Sequence, residues 1–196
     1  MNYKPIIVVA GEPFSIFLEI FFKAKKKNNF KRPIILIVSY QLFIKQMKKL
    51  NFNFKVNLIN KNTFNKLDNK KINIINVEFK FKNTFDKISN KSNVYIDNSF
   101  KIALELLKKN KCSGLINGPI SKRNFLKEKF LGITEFLANK TNKKNKVAML
   151  IYNDKLSVSP ITTHLALKNV HKNLTKEKII THVKLIKEFY IKEFNK

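Results

Sequence analysis

The sequence predicts an α/β fold, a parallel or mixed sheet flanked by helices, on three observations. Short β-branched apolar runs alternate with longer segments whose apolar residues recur at helical spacing. Only four Gly and five Pro occur in 196 residues. Most of these fall in clusters beside the apolar runs: Gly11 with Pro13, Gly114 before Gly118-Pro119, and then Gly132. Gly opens backbone conformations closed to other residues and Pro fixes φ, so such clusters mark demanding turns. Strand-to-helix turns are where α/β folds keep their sites.

Residues 6–10 form a short apolar run ending at Gly11, the pattern of a buried parallel strand. Residues 14–27 predict a helix, with Phe14, Phe17, Leu18, Phe21 and Phe22 on one stripe. A second buried strand is expected over 33–39 and a second helix over 41–50. Between 51 and 90 lie two β-like patches, 52–59 and 72–81, around a polar loop or short helix at 61–71. Residues 93–109 predict a helix whose stripe is Ile96, Phe100, Ala103, Leu104 and Leu107. A strand at 113–117 then leads into Gly118-Pro119, with short helices at 121–129 and 134–140 after it. Two runs, 147–152 and 156–161, flank Asn153-Asp154 and read as a strand pair. The longest helix is expected over 175–194, with Ile179, Val183, Ile186 and Tyr190 in register. No internal repeat is visible.

Composition bounds the function. The chain carries 40 Lys plus Arg against 13 Asp plus Glu, a formal charge of +27. Arg32 and Arg123 are the only arginines, and Arg is the residue that clamps phosphate and reads guanine as a fork. The Lys are spread along the chain rather than clustered, and Lys, Asn, Ile and Phe share A- and T-rich codons. Coding bias therefore explains the charge and no nucleic-acid partner is expected, with a Lys-rich nucleic-acid-binding domain as the alternative from another class. The single cysteine, Cys112, excludes an intramolecular disulfide and a Cys-based zinc cluster, which suits a reducing, cytoplasmic setting. No apolar run approaches the length of about 20 residues that spans a membrane. Nor does the N-terminus have the pattern of a signal peptide.

Three segments carry a resemblance. They are Ala10-Gly11-Glu12-Pro13 with Ser15-Ile16 and Glu19; Leu115-Ile116-Asn117-Gly118-Pro119-Ile120-Ser121-Lys122 followed by Gly132-Ile133-Thr134-Glu135-Phe136-Leu137; and Thr162-Thr163-His164-Leu165-Ala166-Leu167. In order and spacing they resemble the N-terminal part of the 4-hydroxythreonine-4-phosphate dehydrogenase family of vitamin B6 biosynthesis, from about residue 5 to the C-terminus. The resemblance implies a two-lobed fold like that of isocitrate and isopropylmalate dehydrogenases. It implies NAD-dependent oxidation of 4-phosphooxy-threonine, assisted by a divalent metal (Zn, Mg or Co). The 3-oxo acid formed decarboxylates to 3-amino-2-oxopropyl phosphate. A homodimer sharing its metal histidines across the interface is implied as well.

Carried over by position, His164 matches a metal ligand, and Thr162 and Thr163 stand beside it as possible supporting partners. Thr134 matches a substrate-contacting threonine; the same residue would equally serve as N-cap of a helix beginning near Glu135. Lys122 matches the family's Gly-Pro-x-x-Lys lysine, although a solvated surface lysine is the simpler reading. His171 and His182 have no counterpart and read as surface residues.

Two departures stand out. Ile133 occupies the place of the family's His, so one polar substrate contact is lost, and a related phosphorylated hydroxy acid becomes an alternative substrate. Ser15-Ile16-Phe17-Leu18-Glu19 replaces a more glycine-rich segment. In a βαβ design another strand should follow the helix at 175–194, and the family's remaining metal histidines would lie beyond it. The expectation is that residues 1–196 are the N-terminal portion of a two-lobed dehydrogenase, with the second lobe incomplete or absent, and that the chain alone is inactive.

Overall fold

A computed structural model describes residues 3–61, 67–127, 129–144, 146–163 and 165–194. It divides into two compact units, Met1–Lys127 and Glu128–Lys196. In the first, β1 (Ile6–Val9), β2 (Ile34–Val38), β3 (Val56–Leu58), β4 (Ile72–Asn76) and β5 (Gly114–Asn117) form one sheet in the order β3-β4-β2-β1-β5. Every pairing is parallel. Ile7 pairs with Ile35 on one side and with Leu115 on the other, so β1 is held from both edges.

Strand alternation sends successive residues to opposite faces of the sheet. Val8, Leu36 and Ile74 turn to the face covered by α1 (Phe17–Lys27) and α2 (Tyr40–Lys49), packing with Leu18, Phe21, Phe22, Phe43 and Met47. Ile7, Val9, Ile35 and Ile37 are buried on the other face. There α3 (Asn93–Lys108) lies against β1, β2 and β5, burying Tyr95, Ile96, Phe100, Ala103 and Leu106. A strand buried on both sides has no use for alternating polarity, which is why these runs read as continuously apolar.

The boundaries shift where side chains find better partners. Helix α1 starts at Phe17, three residues later than its apolar stripe suggests. Ser15 closes a turn before it, donating its backbone N–H and its hydroxyl to the Glu12 carbonyl at 3.1 and 2.8 Å. The β-like run at 52–59 shrinks to β3, because Phe52 and Phe54 lie over Phe22 with ring centroids 5.3 and 6.0 Å away. Of the polar segment 61–71, residues 62–66 lie outside the described residues. Asn73, an unexpected polar residue inside β4, is fully engaged: it accepts from Asn57 Nδ2 and Asp68 N, and donates to the carbonyls of Ile34 and Asp68. The helix expected at 121–129 is a single π-helical turn, Lys122–Leu126, ended by Lys127 in the left-handed region at φ 48°.

The second unit contains α4 (Ile133–Lys140), α5 (Val170–Asn173) and α6 (Lys176–Phe194), with a 3-10 turn at Leu167–Asn169. The expected strand pair is reduced to one antiparallel bridge, Ile151 to Val158, whose two N–H···O bonds measure 2.8 and 2.9 Å. Asn153 turns the chain tightly by accepting from Lys155 N at 3.0 Å. No residue of α6 is buried, and Val183 of its expected stripe is 57% exposed. His182 corrects its sequence reading: it is half-buried, and its Nε2 lies 2.6 Å from Ser159 Oγ. That hydroxyl donates to the Met149 carbonyl, which leaves His182 as the donor to Ser159. The pair is therefore a tie between α6 and the bridge segment.

Phe22, fully buried and meeting Phe43, Phe52 and Phe54, is the keystone of the α1–α2 face. Replacing it by Ala should cost about 3–5 kcal/mol, measured as a shift in urea midpoint. A loss under about 1 kcal/mol would mean that this aromatic cluster can collapse around the gap.

Candidate functional site

The carboxyl ends of β1 and β5 meet at the point where the chain leaves the sheet in opposite directions, the usual place for a ligand crevice in open α/β sheets. Here that place is closed. Gly11 has φ +75°, and a Cβ on it would overlap the Pro119 carbonyl oxygen. A Cβ on Gly118 would likewise run into the Ala10 carbonyl. The two backbones touch because neither residue carries a side chain. Glu12 N donates to Pro119 O at 2.9 Å, and Gly118 N to Val9 O at 2.7 Å.

Glu12 lies inside this junction, 2% exposed. Its carboxyl accepts from Ser92 Oγ at 2.9 Å and from Ser121 N at 3.2 Å. Burial holds its acidity weaker than that of an ordinary Glu, and the two hydrogen bonds oppose that shift only in part. Tyr95, buried on α3, is the neighbouring titratable group; desolvation pushes its phenol up, and the Glu12 charge adds to this. Beyond the junction, Ser121 Oγ caps the π-helical turn by accepting from Asn124 N at 3.0 Å. Lys122, the first residue of that turn, is exposed.

In the second unit, Gly132 is the N-cap of α4, with Ile133 and Thr134 as its first two residues. The reading of Thr134 as N-cap is corrected accordingly: Gly132 takes that position and the helix begins at Ile133, which places Thr134 within its first turn. Both Ile133 and Thr134 are half-buried. Thr134 lines an open groove of about 590 Å³ together with Lys146, Leu137, Leu150, Ile186 and Phe189. Among the described residues that line it, Lys146 carries the one charge, in a wall that is otherwise largely apolar. His164 lies outside the described residues. Its neighbours Thr162 and Thr163 are half-buried, and His171 is exposed. Lys122 thus belongs to the first unit, and Ile133 and Thr134 to the second.

Other chemistry is limited. Among the described residues no group of three or more His, Cys, Asp or Glu is arranged to hold a metal ion, so these residues alone do not make a metal site. Cys112 is buried, and desolvation lifts its thiol to about 11, far from the range of a nucleophilic thiolate.

A family model described as "Pyridoxal phosphate biosynthetic protein PdxA" matches residues 29–196. The chain belongs to the PdxA family. Among curated relatives, the 4-hydroxythreonine-4-phosphate dehydrogenase of Sulfurihydrogenibium sp. (strain YO3AOP1) is 31% identical over 194 residues, covering 96% of this chain and 58% of the relative. That of Wigglesworthia glossinidia brevipalpis is 27% identical over 183 residues, covering 89% and 54%. The fold agrees with solved PdxA-family structures. The 4-hydroxythreonine-4-phosphate dehydrogenase of Klebsiella pneumoniae superposes with a TM-score of 0.82 at 21% identity, over 95% of this chain and 59% of that one. The one from Burkholderia phymatum superposes at 0.76 and 16% identity, over 94% and 57%. The chain therefore spans somewhat under three-fifths of the length of the relatives it matches.

Glu12 carries a pH signature. Its folded-state acidity is weaker than the ordinary value of 4.5, so the folded chain binds that proton more tightly than the unfolded chain. Its contribution to stability is complete below pH 4.5 and is lost as pH rises through the raised value. Between that value and 4.5, wild type should gain stability relative to Glu12→Gln as pH falls. Urea unfolding of both proteins across this window reads the difference; parallel curves would show that Glu12 does not titrate abnormally.

Proposed function

We propose that the chain is the N-terminal portion of an NAD-dependent, divalent-metal-assisted 4-hydroxythreonine-4-phosphate dehydrogenase of pyridoxal phosphate biosynthesis. One observation carries this reading: membership of the PdxA family along almost the whole chain, at under three-fifths of the relatives' length. Bound NAD would accept a hydride from the secondary alcohol of 4-phosphooxy-L-threonine, whose hydroxyl proton would be released. The 3-oxo acid so formed loses carbon dioxide to leave 3-amino-2-oxopropyl phosphate. A bound divalent cation would acidify the alcohol and stabilise negative charge on its oxygen. His164 is the residue of this chain assigned to that cation.

The chain's own residues bind and orient. Thr134 offers a hydroxyl to an oxyanion of the substrate near the start of α4, where backbone N–H groups also point outward. Lys122 supplies a mobile positive charge for the phosphate. Ile133 stands where the family has His and can donate nothing. That residue favours a second reading, a related dehydrogenase acting on another phosphorylated hydroxy acid. A homodimer with a shared site, in the cytoplasm, completes the proposal. Among the described residues no helix is long and apolar enough to cross a membrane. Nucleic acid is not part of it.

The purified chain, given NAD, a divalent cation and 4-phosphooxy-L-threonine, should form no NADH; clear NADH production would overturn the reading of the chain as a portion. Joined to the C-terminal part of the Sulfurihydrogenibium relative, it should turn over. In that enzyme Thr134→Ala should lower kcat/KM by about tenfold or more, as expected for a lost hydrogen bond to a charged group. Ile133→His should raise kcat/KM for the same substrate; an unchanged value would favour neither substrate through this position and would remove Ile133 as a determinant.

A further inference from the structure

We propose that Glu12 is a positioning residue: its buried carboxyl holds the Gly118–Lys122 segment against the end of β1 and so places Lys122. In its functional sense the proposal rests on the reading of Lys122 as a substrate contact.

The geometry is specific. A carboxyl group offers two acceptor oxygens, and here each goes to a different element. Oε2 receives the hydroxyl of Ser92, at the entry to α3, and Oε1 receives the backbone N–H of Ser121. The Glu12 N–H meanwhile donates to the Pro119 carbonyl, so one residue grips the segment at two points, two residues apart. The contact of Gly11 with Gly118-Pro119 leaves the segment no room to approach more closely.

Ser121 passes this hold forward. Its Oγ accepts from Asn124 N, and its carbonyl accepts from Phe125 N at 2.9 Å and Leu126 N at 3.2 Å. The π-helical turn is thus built on Ser121, and its far end is fixed by buried Leu126 and by Phe125 against Phe100 at 6.4 Å. Lys122 is one peptide bond from the residue that Glu12 holds. Without that hold, the N-terminal side of Lys122 is tethered through Pro119, three residues back, whose carbonyl accepts from the Glu12 N–H.

The arrangement also survives protonation of Glu12. Ser92 Oγ has a second partner, the Ser89 carbonyl at 2.9 Å. If the acid carries a proton on Oε2, that proton goes to Ser92 Oγ and the serine hydroxyl turns to Ser89. Oε1 keeps the Ser121 amide in both states. Gln copies the protonated form, with Oε1 accepting from Ser121 and Nε2 donating to Ser92. Asp keeps the acid but is one methylene too short to reach both partners.

Backbone amide exchange on the ¹⁵N-labelled chain tests this directly. Glu12→Asp and Glu12→Ala should speed exchange at Ser121 by about tenfold or more, while core amides such as Val8 and Leu36 change by less than about threefold. Glu12→Gln should restore Ser121 protection to within about twofold of wild type. A merely stabilising role would move the core amides together with Ser121 and would spare neither. Unchanged Ser121 exchange in Glu12→Asp, or failure of Glu12→Gln to restore it, overturns the proposal; should Glu12→Ala not fold, the Asp and Gln variants decide alone. The reading of Lys122 fails separately. If Lys122→Met leaves KM for the phosphorylated substrate unchanged in the completed enzyme, that contact is lost while the hold by Glu12 stands.

Discussion

The first unit depends on one close approach, the passage of the chain after β5 across the end of β1. β1 is the strand through which β5 joins the rest of the sheet, since β5 pairs with β1 alone. At their shared end Gly11 and Gly118 bring backbone against backbone, where any side chain would collide with a carbonyl. The neighbouring loops inherit that constraint: Glu12 enters the gap from one of them, Ser92 and Ser121 meet it from two others, and the π-helical turn begins where the contact ends. A place that would hold a ligand in many open α/β sheets is instead a sealed joint. Lys122, proposed to meet substrate, is exposed next to it.

Sealing the joint has an electrostatic cost that the surrounding structure offsets locally. An ionised carboxyl loses its water on burial, and two hydrogen bonds replace only part of it, which is why the acidity of Glu12 is weakened. The high overall charge does not bear on this. The ion pairs of the surface, such as Lys23 with Glu19 and Lys109 with Glu105, are solvent-exposed i,i+4 contacts where screening leaves little net stabilisation. In a chain with 40 basic residues, the buried acid Glu12 is held by neutral donors.

The two units differ in how they bury their apolar residues. In the first, both faces of the sheet are covered, and strands and helices alike have fully buried members. In the second, α6 has none, the bridge segment carries Ile151 and Val158 at more than half exposure, and α4, α6 and the segment before Ile151 leave an apolar groove between them. Thr134 sits on the rim of that groove.

The sequence alone determined the fold class, the order of the main strands and helices of the first unit, and the turn at Gly11. Those depend on local physics: β-branched runs, helical spacing of Phe and Leu, and backbone freedom at Gly. It also carried the motifs of the PdxA family, since the order of short segments needs no coordinates. Tertiary structure decided what depends on contacts between distant segments. The run containing Phe52 and Phe54 became a short strand because those rings found Phe22, and the strand pair around Asn153 stayed a single bridge. His182, with nothing in its neighbourhood to mark it, became a partner of Ser159, 23 residues earlier. Glu12 lay in plain view within a quoted motif, yet its partners are 80 and 109 residues away. Spacing along a chain reports faces and turns; a buried hydrogen bond between loops exists only once the sheet has brought their ends together.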